Sequence, residues 1–548
     1  MDAPSEPCRA GRERSLRGVL PRGFGGAGIA PRPASAILGP VELGIDIGTT
    51  RTVVSAVQRG RYPIASFDAG GAFREWIPGL AIEVSGERLF GWDAVARLPH
   101  AEGVVRSVKR AVSGLGADDA VEGLPSRPSA LTLLSEMVAH VADRVRFHSS
   151  LAVPSGAALR AYIAVPANAT SRQRWITLEA CRAAGLEVTG VINEPTAAGI
   201  EYAHRHLGPE NRRSPKRYVV VYDLGGGTFD TSAVSLRGRH FDLLASEGIG
   251  RLGGDDLDSE LLDLALGARG IARDSLSPSS VARLLEAARD AKEAMTPNGR
   301  HVMVDLTAEL PEVGPVVLDA DAVLAVCAPL VARSVAMIER LFEGLPAHGI
   351  DPEDARQLGA VYVVGGGASF VGVQKALRAK LGRKVQLSPI PHAATAIGLA
   401  VAADPDAGIY VQEATTRHFG VWREGDGGRE KRFDPIFGKD VPVGSERVET
   451  RRYHPRHTVG WLRFLECSSL AGDGGPGGEI TPWRVVGFPY DPALQDRDDL
   501  ETSIRLDDVV SDEEILETYR YDERGTVSVR IENVRRGYAR TYELGRLS

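Results

Sequence analysis

The sequence predicts an α/β, two-lobed domain over residues 41–405, a linker over 406–414 and a small antiparallel β domain over 415–548. Three observations predict it. One acidic, glycine-rich turn occurs twice, as Gly44-Ile45-Asp46-Ile47-Gly48-Thr49-Thr50 and as Asp223-Leu224-Gly225-Gly226-Gly227-Thr228-Phe229-Asp230. Between Val41 and Pro405, β-rich runs alternate with helical stretches, the pattern of an α/β architecture. After Pro405 the texture changes to short alternating segments separated by Gly, Pro and Asp.

Residues 1–40 carry Arg9, Arg12, Arg14, Arg17, Arg22 and Arg32 among Gly, Pro and Ala, with Phe24 the one aromatic residue. They lack the apolar core of a secretory signal and read as a disordered tail, with a basic contact arm as the other reading.

The first turn sits between the apolar runs Val41–Ile47 and Thr52–Val57, the second between Tyr218–Tyr222 and Thr231–Val234. Each reads as a hairpin with an Asp on its incoming strand. Glycine lets backbone approach phosphate oxygens without a Cβ in the way, and consecutive N–H groups form an anion-binding concavity. An Asp beside phosphate implies a divalent cation between them, most simply Mg²⁺ held partly through water. An ordinary hairpin uses the same residue types. The duplication favours the phosphate reading, because two facing turns would clamp a nucleoside triphosphate from both sides.

Between the turns, Leu131–His148 has helical periodicity, and Ser171–Gly185 reads as a helix stopped by its glycine. Gly208–Arg217, with Pro209 and Pro215, reads as a surface loop. Past the second turn, Ser277–Ser280 leads into a helix over Val281–Met295, halted by Pro297. In the β domain, Val527, Val529 and Ile531 share one face of a strand, and Asp522-Glu523-Arg524-Gly525 is the turn before it. Ala471–Gly478 reads as a glycine-rich loop.

A chain of 548 residues holds more than one domain. With 65 basic and 72 acidic residues, a net charge of −7, no global field favours nucleic acid or an anionic membrane. The longest apolar run, Ala322–Ala332, is interrupted by Pro329 and reads as too short for a bilayer. The four cysteines, Cys8, Cys181, Cys327 and Cys467, show neither pairing nor ligand spacing, which suits a reducing cytoplasm.

In this order the motifs resemble the DnaK-type 70-kilodalton heat-shock chaperones, members of the actin-like ATPase superfamily. The most specific matches are Tyr162–Ala167, Arg172-Gln173-Arg174, Ala183–Leu186 and Ile192-Asn193-Glu194-Pro195-Thr196-Ala197-Ala198. Val363-Val364-Gly365-Gly366-Gly367 looks like the adenosine-side turn of that family. The resemblance implies an actin-like two-lobed ATPase domain binding ATP or ADP with Mg²⁺. Asp46, Gly48, Thr49 and Thr50 would form the first phosphate loop, and Gly225, Gly226, Gly227 and Thr228 the second, with the Thr228 hydroxyl near the γ-phosphate. Asp46, Glu194 and Asp223 would hold the metal, mostly through water. Lys109 would point at the transferring phosphate, so the catalytic set is Lys109, Glu194, Asp223 and Thr228. Lys292, Thr296 and Gly365, Gly366 and Gly367 would contact the nucleoside. Pro166 and Arg174 resemble an interdomain relay, though proline also ends strands for its own reasons.

Three departures qualify the resemblance. Glu293 and Ser369 stand where the family carries two arginines that sandwich adenine, a loss of about 1–4 kcal/mol of cation–π contact. Arg289 and Arg300 remain as candidates to stack instead, and His392 stands where the family has an acid. The linker Ile409-Tyr410-Val411-Gln412-Glu413 is more polar than the family's, which makes it a poorer edge strand. No helical lid follows the last hairpin, so bound peptide would exchange quickly.

The expectation is an ATP-dependent chaperone that hydrolyses ATP slowly and couples nucleotide state to binding of unfolded or extended polypeptide by the β domain. J-domain and nucleotide-exchange co-chaperones are its implied partners, with no nucleic acid and no membrane. The alternative is a nucleotide-binding switch with little hydrolysis that recognises a dedicated protein partner. A sugar kinase shares the turns but leaves the β domain and Asn193–Ala198 without a role.

Overall fold

The structure is a computed structural model. It describes residues 39–548 apart from 168, 208–214, 237, 413–414, 416, 426–429, 440, 442–445, 498–499, 501–511, 523–524 and 545–548. The tail over 1–38, most of the loop over 208–217, the linker's Glu413 and the turn residues Glu523 and Arg524 lie outside the described residues. So does Cys8, whereas Cys181, Cys327 and Cys467 are buried free thiols.

Both predicted hairpins are present. In the first lobe, β1 (Val41–Ile47) pairs antiparallel with β2 (Arg51–Ala56) and parallel with β3 (Leu159–Val165), which pairs parallel with β4 (Glu187–Asn193). With the short strand Ile77–Pro78 this makes a five-stranded sheet in the order β4-β3-β1-β2-Ile77. The second lobe repeats the scheme. There β5 (Tyr218–Leu224) pairs antiparallel with β6 (Phe229–Ser235) and parallel with β8 (Leu358–Val364), and β6 continues to β7 (His240–Ile249). Parallel pairing needs a crossover, and helices supply it on the sheet faces.

The helices start where sequence chemistry starts them. Ser107 Oγ caps the short α1 (Val108–Val112), and Ser129 caps α2 (Ala130–Phe147). A Thr170–Gln173 capping box opens α3 (Ser171–Ala183), while α4 (Glu194–His206) starts with Pro195 in its first turn. In the second lobe, α5 (Gly254–Gly267) leaves the second turn, Ser277 caps α6 (Pro278–Glu293), and Asp319 caps α7 (Ala320–Gly344). The run read as ending at Ala332 belongs to this 25-residue helix. By length and hydropathy α7 is a span candidate, and its Cys327, Val331, Ile338 and Leu341 face packs into the second-lobe core.

Past α8 (Val371–Leu381), the two lobes meet on α4 and α9 (Ala394–Ala403), which share a core with Val53, Val221, Tyr362 and Val364. Two glycines permit this approach. A Cβ on Gly398 would stand 1.8 Å from the Ala197 carbonyl oxygen, and one on Gly44 would stand 2.3 Å from that of Ala396.

Past the lobes, the linker strand β9 (Tyr410–Gln412) pairs parallel with His240–Asp242 of β7. It completes the second sheet, in the order Val385-β8-β5-β6-β7-β9. The β region then holds β10 (His418–Gly425), β11 (Glu430–Phe437), β12 (Arg447–Tyr453), β13 (Val459–Leu470), β14 (Pro476–Pro489), β15 (Ile515–Tyr521), β16 (Val527–Asn533) and β17 (Tyr538–Glu543). They form two four-stranded antiparallel sheets, β11-β10-β13-β14 and β12-β15-β16-β17. The predicted loop over 471–478 is shorter, because β14 already begins at Pro476. Phe419, Phe464 and Phe488 from one sheet share a core with Tyr519, Val529 and Ile531 from the other, a sandwich arrangement. Between them Arg423 donates twice to the buried Glu517 carboxylate, at 2.9 and 2.6 Å, while the Tyr453 hydroxyl donates to it at 2.6 Å.

Candidate functional site

The two turns close identically. Gly48 N–H donates to Arg51 O, and Gly225 N–H to Thr228 O, each at 3.0 Å. They also touch across the lobes: a Cβ on Gly226 would stand 1.4 Å from Thr50 Oγ1. Only glycine allows the second turn to lie this close to the first.

A cleft opens at their junction. Its walls include Asp46, Gly48, Thr49, Thr50, Lys109, Glu194, Asp223, Gly225, Gly226, Thr228, Lys292, Gly365, Gly366 and Gly367, so most of the predicted site comes together. Two members do not line it. Thr296 sits on the exposed turn past the end of α6, and Gly227 faces Thr49 and Arg110. Ser369 and Arg300 are also outside the lining, whereas His392 is within it.

Lys109 reaches into the cleft from α1, and its ammonium donates to Glu194 Oε1 at 2.6 Å. The sequence reading missed what places it. Ser107 caps α1 through Arg110 N–H at 3.2 Å, and its hydroxyl also donates to the Thr49 carbonyl at 2.5 Å. One serine therefore ties the lysine-bearing helix to the first glycine turn; an S-x-x ahead of a helix was the available signal. Glu194 begins α4, where the helix dipole favours a carboxylate.

Lys292 is 6% exposed and committed elsewhere. Its ammonium pairs with Asp258 at 2.5 Å and donates to the Gly254 carbonyl at 2.9 Å. It pins the start of α5, whose Gly254 and Asp255 N–H groups donate to Gly225 and Gly226 carbonyls at 2.9 and 2.7 Å. Arg289, a candidate to stack on a base, is held by Asp255 at 3.1 Å, Glu286 at 2.8 Å and Asp258 at 3.4 Å. Arg51 lines the cleft and pairs with Glu293 at 2.5 Å.

Burial pushes Asp46 up to about 7, with the neighbouring Glu194 adding to the rise and Lys109 opposing it. Burial also holds Asp223 well above the usual carboxylate range, helped by Glu194, Asp46 and Asp230. For Lys109, burial lowers the ammonium, but Glu194 and Asp46 outweigh it and the net shift is upward. Three crowded carboxylates with one ammonium lack positive charge, and hard oxygen donors suit Mg²⁺. Among the described residues no three His, Cys, Asp or Glu side chains are grouped closely enough to ligate a metal directly. Asp46, Glu194 and Asp223 are oxygen donors of the kind that can hold Mg²⁺ through water.

A carboxylate raised on folding contributes stability at low pH that is lost as pH rises through its folded value. For Asp46 that window runs from its ordinary 3.8 to about 7. A divalent cation removes the repulsion responsible. Mg²⁺ is expected to raise the melting temperature, relative to chelator, more at about pH 8 than at about pH 6. Calorimetry showing equal shifts at both would mean that Asp46 does not titrate there.

Behind Lys109, Thr49 and Thr228 lies a second cavity, walled by Ile47, Val112, Leu134, Pro166, Gln173 and Ile176. Pro166 thus lies beside the cleft. Arg174 Nη2 donates to Asn193 Oδ1 at 2.6 Å, next to Glu194, and its charge is felt by Tyr521 of the β sandwich. On the same helix, Arg172 donates to the Pro482 carbonyl at 3.2 Å. So α3 touches both the cleft wall and the sandwich.

Two duplicated hairpin lobes closing on acid-lined glycine turns define a protein of the actin-like ATPase fold. Residues 135–416 match the Hsp70 protein family. The chaperone protein HscA homolog of Burkholderia multivorans is 31% identical over 398 residues, covering 70% of this chain and 60% of that protein. Its counterpart in Burkholderia cenocepacia is 30% identical over 397 residues, with the same coverage. This chain belongs to the Hsp70 family as a divergent member, and its match spans about 60% of the length of those relatives.

Proposed function

We propose that this chain is a chaperone-type ATPase that binds ATP with Mg²⁺ between its lobes, hydrolyses it slowly and couples nucleotide state to binding of extended polypeptide by the β sandwich. The observation that carries the reading is the convergence of Asp46, Lys109, Glu194 and Asp223 at the contact between the two turns. Phosphoryl transfer to water needs positioned charge more than covalent chemistry. The turn N–H groups hold phosphate oxygens, and Lys109 neutralises charge that develops on the transferring group. The Thr228 hydroxyl would orient the γ-phosphate, and Glu194 fixes Lys109. Bound Mg²⁺ would neutralise phosphate oxygens, with Asp46, Glu194 and Asp223 holding it through water.

Coupling to the sandwich would use both routes between cleft and β region. One runs from Glu194 through Asn193 and Arg174 on α3; the other is the linker strand β9 on the edge of the second sheet. Pro166 and Arg174 act as the relay in this reading. The sandwich would take extended segments of unfolded chains by main-chain hydrogen bonding with apolar contacts. J-domain and nucleotide-exchange co-chaperones would regulate the cycle, and the working compartment would be the cytoplasm.

The test is fluorescence anisotropy of a labelled unfolded peptide with the full chain in ATP, ADP and no nucleotide. ATP is expected to speed peptide release by about tenfold over ADP. Release rates that ignore nucleotide would sink the coupling. Hydrolysis with no peptide binding in any state would instead favour the switch that serves a dedicated partner.

A further inference from the structure

We infer that Arg51, supplied by the first lobe, is the base-binding side chain of this cleft and that Glu293 of the second lobe holds it in position. The inference rests on the nucleotide reading of the cleft. Arg51 follows Thr50 in the first phosphate turn and fills the place that Thr228 fills in the second. Its guanidinium lies 4.3 Å from the Trp76 ring centroid, stacked on an aromatic platform. That platform is itself held, since Trp92 Nε1 donates to the Trp76 carbonyl at 2.9 Å and His392 packs edge-on against the Trp76 ring at 5.7 Å. One edge of the guanidinium meets Glu293 at 2.5 Å, and the side chain is 17% exposed.

Its position is the adenosine end of the cleft. A Cβ built on Gly366 would stand 3.4 Å from Arg51 Nη1, so the guanidinium lies against the third glycine turn. Two other cations of the cleft lining there are committed, while Arg74 lies over the same Trp76 ring at 5.7 Å from outside the lining. Lys292 is held by Asp258 and the Gly254 carbonyl, and Arg289 by three carboxylates. A planar guanidinium on an aromatic ring can stack a purine or pyrimidine, whereas an ammonium cannot. Glu293 thereby gains a purpose. It removes an arginine from α6 and anchors one that arrives from the other lobe, so base contact forms only when the lobes are closed.

Titration calorimetry with Mg²⁺ tests this on the full chain, using ADP and tripolyphosphate as probes. Arg51→Ala is expected to weaken ADP about tenfold and to leave tripolyphosphate within about twofold. Arg51→Lys should be nearly as weak for ADP as Arg51→Ala, because it keeps the charge but loses the plane. Glu293→Ala should weaken ADP less, and should add nothing in the Arg51→Ala background, a non-additivity that a merely structural role would not produce. Unchanged ADP binding in Arg51→Ala would overturn the assignment. So would equal losses for both probes with rescue by lysine, since Arg51 would then be reading phosphate charge. Failure to bind either probe would remove the nucleotide reading itself.

Discussion

Lys109→Ala is expected to lower single-turnover ATP hydrolysis by about 10²–10³-fold, the scale for removing one positioned donor from a charge-stabilising site. Its ammonium is the positive group placed beside Glu194, Asp46 and Asp230. Removing it takes away charge from the transferring phosphate and leaves those carboxylates to repel one another. Asp46, already raised to about 7 with Lys109 opposing the rise, would move higher still. Two results should therefore accompany the lost rate: retained ADP binding, and a stronger dependence of stability on Mg²⁺. Rapid quench with radiolabelled ATP measures the hydrolysis rate. A variant that hydrolyses within threefold of wild type would show that the lysine is a structural partner of Glu194.

Gly398→Ala is expected to be the most damaging conservative change away from the cleft. The new methyl would stand 1.8 Å from the Ala197 carbonyl, a backbone atom that no rotamer change can move. The helices α9 and α4 would have to part, at a cost of about 3 kcal/mol or more. Because Glu194 begins α4, the displacement reaches the cleft, and a shift of about 1 Å there costs roughly 10²-fold in rate. The control is Gly267→Ala at the end of α5, where nothing lies within 4 Å of the added carbon. It should be neutral or stabilising by up to about 1 kcal/mol. Urea unfolding of both variants tests the contrast. Equal midpoints would mean that α4 and α9 do not lie this close.

Local chemistry wrote much of this fold into the chain. The two hairpins, the capped helices at 130–147 and 278–293 and the strand at 527–533 follow from turn residues and periodicities spanning a few positions each. The cleft was legible for the same reason, since a phosphate turn carries its glycines, its acid and its hydroxyls in one short segment. Thr296 shows where such reading stops. Its spacing from Lys292 matches the motif, but α6 ends at Glu293 and the chain turns away before reaching it. The linker shows another limit. Gln412 argued for a poor edge strand, yet main-chain pairing does not depend on side-chain identity, and Tyr410–Gln412 pairs along β7.

The ion pairs around Arg51 and Arg289 were decided by tertiary approach. Sequence alone assigns Arg51 no role and leaves Arg289 as a candidate to stack on a base. Their roles exchange because α6 of the second lobe lies against the first turn of the first lobe, bringing Glu293 to Arg51, while α5 brings Asp255 and Asp258 to Arg289. Ser107 likewise gains its second bond only when α1 meets Thr49. Backbone conformation is set within a few residues, so turns and periods announce themselves. An ion pair is set by which distant surfaces close on one another, and that information appears only once the lobes are packed.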